Sequence, residues 1–283
     1  MAKDKTVTFA VLCFIHVWTF SVDSKTDFPG QYAPHNETTL SMVPDAVDDM
    51  YSGCTEKMKK KVNNEYLPNE KNQRLFNQSW HRAETCAKEV AERFKKDKET
   101  FYANELEHDH IKAICAYSAG HPTIHDVFNE AVLTQKNQYT TFPYHTLHFW
   151  LTDALRVLKK AQQNCRTTFR RTKKDYSEVN KEMRFGYFAS SSLKKHINPT
   201  FGHKSCFEIY TCFGAYLKSY PKLGKKEEEV LIPPYEVFKV IAVLKKKRYE
   251  NLWCDTVYKL QSTKKPQSNL NCKMIRHSAE NNL

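Results

Sequence analysis

Cysteine is the residue type that most constrains how this 283-residue chain can fold. Apart from Cys13, eight cysteines are spread along it: Cys54, Cys86, Cys115, Cys165, Cys206, Cys212, Cys254 and Cys272. An even set is typical of disulfide bridges in a secreted chain, and the absence of a Cys-x-x-Cys pair argues against metal ligation. Because eight cysteines allow roughly 105 pairings, their spacing alone does not fix the connectivity.

The start of the chain favours secretion. Residues 1–24 combine a lysine-bearing start with an apolar run, Val7–Ile15, that breaks up before polar residues, as in a signal peptide. This run is too short for a spanning helix, and no second run of about 18 apolar residues follows. The polar tail, residues 276–283, has no lipid-anchor signal. We therefore expect a secreted, extracellular protein without a membrane span; an anchored amphipathic start is the alternative.

Two sequons fit that expectation. Asn36 and Asn77 each begin an Asn-x-Ser/Thr acceptor pattern, whereas proline excludes the similar pattern at Asn198. Such a pattern has meaning only in a chain that passes through the secretory route. We therefore predict a glycoprotein modified at Asn36 and Asn77.

The apolar pattern changes near the middle of the chain and predicts an α+β fold. Four segments have apolar residues at helical spacing: 80–94, 106–120, 123–133 and 146–158. Short aromatic and β-branched segments follow at 167–170, 185–189, 207–212, 230–232, 235–243 and 252–260. Helices first and strands later favour one α+β domain, with a helical N-terminal half packed on a β-rich core. We expect the chain after Ser262 to be loose except near Cys272.

Histidine-rich stretches are the other candidates for metal sites, and the residues around them favour structural roles. His108, Asp109 and His110 fit a solvated helix face, and His145 and His148 lie on an amphipathic helix without a nearby carboxylate. We therefore predict no metal site.

The formal net charge of +12 indicates a general attraction to polyanions. The basic residues are scattered, and no zinc-finger, zipper or RNA-recognition motif is present, so we expect no specific nucleic-acid binding. With only 7 glycines, the chain has neither a Rossmann Gly-x-Gly-x-x-Gly turn nor a P-loop. A bound nucleotide would have its phosphates held by side chains.

An acidic run leads into a buried segment at residues 227–234. Val230–Ile232 has the apolar composition of a short buried strand, and Pro233 and Pro234 end it because proline cannot donate to the ladder. If the entry is extended, Glu227 and Glu229 share one face and Glu228 points the other way. A pair of carboxylates at the mouth of a buried strand suits acid–base chemistry, although such a run is more often a solvated loop.

Three short motifs in the second half occur in a fixed order. Arg170 lies in Thr168–Thr172, Ser190 follows the aromatic stretch 184–189, and Glu227 to Glu229 follow after that. This order of arginine, serine and Glu-x-Glu resembles the secreted and cell-surface arginine-specific mono-ADP-ribosyltransferases, a family related to bacterial toxins. The resemblance runs from about Asp45 to Ile275. It implies a catalytic domain at residues 45–275, NAD as co-substrate, no metal, and arginine-bearing proteins as acceptors.

The resemblance also implies residue roles. Arg170 matches the arginine that grips the NAD diphosphate, for which a forked guanidinium is suited. Ser190 matches the first serine of a Ser-Thr-Ser element that orients the catalytic glutamate, with Ser191 here in place of threonine. Glu229 matches the catalytic glutamate that stabilises the oxocarbenium-like state. Glu227 matches the glutamate that holds and deprotonates the acceptor guanidinium.

Two bridges follow from the same resemblance: Cys54 with Cys272, and Cys165 with Cys212. The remaining cysteines are expected to form bridges as well, in a pairing that the sequence leaves open. Two other functions stay open at this point. One is an NAD glycohydrolase with water as acceptor, and the other is a catalytically silent secreted protein that binds acidic surfaces through its charge.

Overall fold

The computed structural model describes residues 39–96, 106–119, 123–176, 178–195, 199–218, 220 and 228–280. The expected signal peptide, the sequon at Asn36 and the predicted acceptor glutamate Glu227 lie outside these residues. All described residues belong to one unit, Asn36–Leu283.

The N-terminal half is helical, as predicted. Its α-helices are α1 (Thr55–Lys61), α2 (Leu67–Glu70), α3 (Arg74–Lys96), α4 (His108–Ser118), α5 (Ile124–Thr134) and α6 (His145–Gln162), with a π-helical turn at Val62–Tyr66 and a 3-10 segment at Lys136–Thr141. The apolar spacing explains the packing, since Trp80, Ala83 and Ala87 on α3 are all buried. Helix α6 is buried along most of its length because helices on several sides cover it.

The second half forms the sheet. Its strands are β2 (Arg166–Thr172), β4 (Glu182–Met183), β5 (Ala189–Ser192), β6 (Ser205–Thr211), β7 (Ala215–Tyr216), β8 (Glu229–Ile232), β9 (Phe238–Lys245) and β10 (Thr256–Ser262), while β1 (Thr39–Leu40) and β3 (Glu178–Val179) pair separately. The order across the 8-stranded sheet is β4-β9-β10-β6-β2-β5-β8-β7. Within this 8-stranded sheet, every neighbouring pair is antiparallel except β6 with β10. Strands β2, β5 and β8 are therefore immediate neighbours.

The buried strand predicted before the two prolines is confirmed. Val230, Leu231 and Ile232 are fully buried in β8. The side chains of Leu231 and Ile232 lie in different clusters: Leu231 packs with Phe188 in the cluster formed by the helices, and Ile232 packs with Phe207 in the cluster on the other face of the sheet. The strand thus joins the helical layer to the sheet core.

Four disulfides close the fold. Cys54–Cys272 and Cys165–Cys212 are present, as the family resemblance implies. The four cysteines whose pairing the sequence left open form Cys86–Cys115 and Cys206–Cys254. In the chain-entropy model, closing a loop of 218 residues, as Cys54–Cys272 does, limits the unfolded chain most.

The prediction of a strand at the aromatic stretch 185–189 is wrong. The strand β5 begins only at Ala189 and contains the serine triplet itself. The reason lies at Gly186, whose φ of +73° is left-handed and breaks an extended chain. A Cβ at Gly186 would also approach Val43 to 2.8 Å.

The prediction of a chain that is loose after Ser262, except near Cys272, is also wrong, because the backbone of Thr263 donates to the carbonyl of Val237 and that of Gln267 to the carbonyl of Tyr235, both at 2.9 Å. Asp48 accepts hydrogen bonds from the backbone of Asn269 at 2.8 Å and of Leu270 at 3.0 Å, and its other oxygen pairs with Arg184 at 2.8 Å. Helix α7 (Lys273–Glu280) follows, so the tail predicted from residue 276 begins inside a helix. Local sequence patterns do not indicate this attachment because Asn269 and Leu270 are more than 200 residues from Asp48.

His110 corrects another expectation. It is buried rather than solvated, and its Nε2 lies 2.9 Å from Asp153. His148 is buried as well, with its ring nitrogens on Tyr51 and on the carbonyl of Val47, and burial lowers its pKa to about 4. Within the described ranges, no group of three or more metal-binding side chains is present, and no helix is long and apolar enough to cross a membrane.

Candidate active site

Three neighbouring strands carry the residues that the sequence singled out. Arg170 lies on β2, Ser190 on β5 and Glu229 at the first position of β8. The register pairs Ser192 with both Phe169 and Glu229, so the three strands meet within one short stretch. The sheet therefore brings together residues that are 20 to 59 positions apart in the chain.

Arg170 reaches across the sheet to the neighbouring strand. Its Nη1 donates to the carbonyl of Ser190 at 2.6 Å, and its Nη2 donates to the hydroxyl of Tyr187 at 3.3 Å. The guanidinium also lies 5.8 Å from the centre of the Tyr187 ring. Burial lowers the pKa of Arg170, but the hydroxyl oxygens of Tyr187 and Tyr117 outweigh it and raise the pKa above its usual range. A fixed, permanently charged fork results, held by neutral groups of the described chain.

Helix α4 contributes a tyrosine to the same place. The hydroxyl of Tyr117 donates to the carbonyl of Phe188 at 2.5 Å and accepts from the side-chain amide of Asn129 at 3.0 Å. Ser190 is also within hydrogen-bonding reach of this hydroxyl. Burial raises the pKa of Tyr117, and the charge of Glu229 raises it further, so the hydroxyl keeps its proton. Tyr117 thus holds the start of β5 in place.

The serine triplet is held from both sides. The hydroxyl of Ser191 donates to the carbonyl of Val230 at 2.9 Å, which ties β5 to β8 by a side chain as well as by the ladder. Ser191 and Ser192 are buried, while Ser190 is half-buried. Of the triplet, Ser190 is the least buried residue.

The entry to β8 differs from the extended conformation assumed for the glutamate run. The strand begins at Glu229, and the φ of Glu228 is 45°, in the left-handed region. The simple alternation of faces through Glu228 is therefore wrong. Glu228 instead forms an ion pair with Lys194 at 3.2 Å, and its carbonyl accepts from the backbone of Leu193.

Sequence reasoning missed the contributions of Tyr117 and Asn129. Helical spacing predicted their segments as packing helices, and nothing in the spacing distinguishes a tyrosine that reaches the sheet from one that fills the core. Tyr187 stood within the aromatic stretch, but its role depends on the turn at Gly186. These residues are recognised only once the helical layer is placed on the sheet.

Chemically, the arrangement places a forked cation on β2 and a carboxylate on β8, with only β5 between them. A guanidinium of this kind can bind the phosphate oxygens of a dinucleotide bidentately. The carboxylate of Glu229, close enough to Tyr117 to raise its pKa, is suited to stabilising a cation that develops nearby.

Comparison with known proteins agrees with this arrangement. The model of the NAD:arginine ADP-ribosyltransferase family matches residues 40–264. T-cell ecto-ADP-ribosyltransferase 1 of Mus musculus is 35% identical over 242 residues, which cover 82% of this chain and 77% of that protein. The erythroblast NAD(P)(+)--arginine ADP-ribosyltransferase of Gallus gallus is 32% identical over 73% of this chain and 68% of its own length.

Solved structures show the same similarity. The eukaryotic mono-ADP-ribosyltransferase ART2.2, in a variant determined in complex with NAD, superposes with a TM-score of 0.68 at 29% identity. The match covers 83% of this chain and 98% of that one. The similarity therefore includes both the helical layer and the sheet.

Proposed function

The chain belongs to the NAD:arginine ADP-ribosyltransferase family, and from that membership we propose that it transfers ADP-ribose from NAD to arginine side chains with Arg170, Ser190, Glu227 and Glu229 as its site. The observation that carries the proposal is the meeting of Arg170, Ser190 and Glu229 on three adjacent strands. Nicotinamide is the leaving group, and the proton of the acceptor guanidinium passes to a carboxylate.

Arg170 is proposed to bind the diphosphate of NAD. Its fork is fixed by the carbonyl of Ser190 and the hydroxyl of Tyr187, and neither partner neutralises it. A lysine would supply the charge but not the two parallel donors. The absence of a glycine-rich phosphate loop from the sequence leaves this task to a side chain.

The two glutamates are proposed to act on different steps. Glu229 stabilises the oxocarbenium-like ribose as the bond to nicotinamide breaks, and Ser190 helps to orient it. Glu227 holds the acceptor guanidinium and takes its proton during attack, because a group with a pKa above about 12 is otherwise a poor nucleophile. Transfer and hydrolysis share the first step and differ in the second.

We also assign a place of action. The relatives named above include ecto-enzymes, and the signal-peptide pattern leads us to propose a secreted protein rather than an anchored one. The catalytic domain is taken as residues 45–275, and glycosylation as occurring at Asn36 and Asn77. Asn77 is exposed on α3, which suits a modified side chain.

The test is a comparison of acceptors. The purified protein is incubated with labelled NAD and agmatine, and both the labelled adduct and free ADP-ribose are measured. We expect the adduct to dominate. Glu229→Gln should abolish adduct and hydrolysis together, whereas Glu227→Ala should lower adduct formation by about 10²-fold or more and leave hydrolysis in place.

The results separate the alternatives. Free ADP-ribose as the main product of the unaltered protein would make it a glycohydrolase. No turnover would make it a silent binding protein. An equal loss of adduct and hydrolysis in Glu227→Ala would show that Glu227 serves bond cleavage rather than the acceptor.

A further inference from the structure

One end of the sheet carries a concentration of basic residues outside the proposed active site. Thr172 at the end of β2 pairs with Ser205 at the start of β6, Ser205 pairs with Thr256 of β10, and Thr256 pairs with Lys245 of β9. The four strands therefore end in one row, about 14 Å across at the usual strand spacing. The chain just beyond these ends supplies what we call the basic rim: Lys173, Lys174, Lys204, Lys245, Lys246, Lys247 and Arg248.

The rim is exposed and unevenly charged. All of its side chains are exposed, and those from Lys245 to Arg248 are consecutive. The nearby carboxylates in the same loops are Asp175, Glu250 and Asp255, and Asp255 pairs with Lys204 at 3.3 Å. Positive charge remains in excess. Two aromatic rings stand exposed beside it, Phe201 at 54% and Tyr249 at 51%.

The rim is built on a rigid support. The Cys206–Cys254 disulfide ties the loop after β9 to β6, and the backbone of Lys246 donates to the carbonyl of Asp255 at 2.9 Å. Arg171 lies 4.7 Å from the ring of Trp253 and donates to the carbonyls of Gly202 and Trp253. These contacts fix the loops that present the lysines. Because the loops are already fixed, their backbone loses little conformational entropy when the surface binds a ligand.

We propose that the basic rim binds a sulfated polysaccharide. A row of exposed ammonium groups complements a linear polyanion, and the exposed rings of Phe201 and Tyr249 offer faces for sugar rings. Lysine predominates over arginine in the rim, which favours distributed point-charge contacts over the bidentate grip on phosphate that nucleic-acid sites use. Sulfated glycans are the polyanions that an extracellular protein meets at cell surfaces.

The experiment measures the affinity of the full-length secreted protein for a size-defined heparin octasaccharide at about 0.15 M salt. The rim variant carries Lys245→Ala, Lys246→Ala, Lys247→Ala and Arg248→Ala together. We expect its Kd to rise about 100-fold and the slope of log Kd against log salt to fall. The matched control removes the same charge elsewhere, with Lys57→Ala, Lys60→Ala, Lys71→Ala and Lys88→Ala, and should change Kd by less than about threefold.

Three further probes identify the ligand class. An unsulfated octasaccharide with only carboxylates should bind at least about tenfold more weakly than heparin. Single-stranded DNA and polyglutamate of equal charge should also bind more weakly. Equal losses in the rim and control variants would overturn the proposal in favour of diffuse attraction to net charge. Tighter binding of DNA or polyglutamate than of heparin would overturn the choice of a sulfated glycan.

This inference does not depend on catalysis, and its failure can be told apart from failure of the proposed function. None of the substituted residues belongs to the proposed active site, so the rim variant should modify agmatine at the unaltered rate. Thermal unfolding and far-UV circular dichroism establish that the rim variant is folded. Loss of heparin binding in a folded, active rim variant is the outcome that supports the proposal.

Discussion

Two arginines, only 14 positions apart in sequence, occupy opposite kinds of environment. Arg184 is fully buried, and its guanidinium pairs with Asp48 at 2.8 Å and donates to the carbonyls of Met42, Val43 and Gln267. Arg170 is half-buried, and its described partners are a carbonyl and a tyrosine hydroxyl, both neutral. The first arginine is neutralised by the fold, whereas the described hydrogen-bond partners of the second leave its charge uncompensated.

The difference shows how structural and functional charge can be told apart. A structural ion pair satisfies every donor and acceptor internally, because a buried charge that lacks a partner is costly. A binding cation is held in place by neutral groups that fix its orientation without cancelling its field. Substitutions at the two arginines and at buried and exposed carboxylates test this distinction.

The largest effect is expected at the structural arginine. Arg184→Ala leaves Asp48 buried without its cation, so we expect the free energy of unfolding to fall by about 3–5 kcal/mol. Urea denaturation measures it. The specific activity of the folded fraction should stay close to that of the unaltered protein. A stable Arg184→Ala with lost activity would reverse the assignment of the two arginines.

Arg170→Ala should behave in the opposite way. We expect kcat/KM for NAD to fall about 10²–10³-fold because a charge-assisted fork is lost, while the free energy of unfolding changes by less than about 1 kcal/mol. Steady-state kinetics and urea denaturation are measured on the same preparation. Arg170→Lys should recover little activity, since lysine cannot fork. Near-normal kinetics in Arg170→Lys would contradict bidentate binding.

Glu70 is a buried carboxyl group whose described hydrogen-bond donors are uncharged, in contrast to Asp48 with its arginine. It accepts from the backbone of Thr146 at 3.1 Å, and burial raises its pKa to about 8. The folded state therefore holds this proton more tightly, so its stabilising contribution is complete below about pH 4.5 and is lost as the pH rises through 8. Between pH 6.5 and 9 we expect the free energy of unfolding to fall by about 2 kcal/mol.

Glu70→Gln is the matched variant, because its amide keeps the shape and does not titrate. We expect urea denaturation of Glu70→Gln to give a nearly flat profile over the same pH window. Asp49, whose pKa burial raises to about 6, contributes a slope of the same sign that lies mainly below this window. An unchanged slope in Glu70→Gln would assign the pH dependence to another group.

The smallest effect is expected at Glu228. Its ion pair with Lys194 is partly exposed, and such pairs contribute about 0–1 kcal/mol. Glu228→Ala should therefore change agmatine modification by less than about threefold and stability by less than about 1 kcal/mol. The assay is run beside Glu227→Ala. If Glu228→Ala were as damaging as Glu227→Ala, the left-handed turn at Glu228 would have to place its carboxylate at the acceptor.

More of the candidate site could be predicted from the sequence than of the residues that hold the site in place. Arg170, Ser190 and Glu229 could be chosen because charged and hydroxyl residues in a fixed order resemble a known family, and β8 could be recognised from three apolar residues before two prolines. The α+β class followed from a change of period. Each of these patterns lies within a short stretch of neighbouring residues, so it can be recognised without knowing the fold.

The errors have a common physical origin. The strand predicted at 185–189 ignored the left-handed turn at Gly186, and the extended entry to β8 ignored the one at Glu228. The tail after Ser262 and the solvated His110 depended on partners far away in the chain, Asp48 and Asp153. Backbone reversals at single residues and contacts between distant residues leave no periodic trace.

The attachment of residues 269–272 to Asp48 and Cys54 has a consequence for biosynthesis. The ribosome makes Asp48 and Cys54 more than 200 residues before the backbone donors that satisfy Asp48 and the sulfur that joins Cys54. Until these residues are made, the Asp48 carboxylate lacks its backbone donors from Asn269 and Leu270 and stays hydrated, and the helices around it cannot complete their packing. Closure of this core therefore waits until residue 272 has been made, and a chain truncated before residue 269 would lack the contacts that close it.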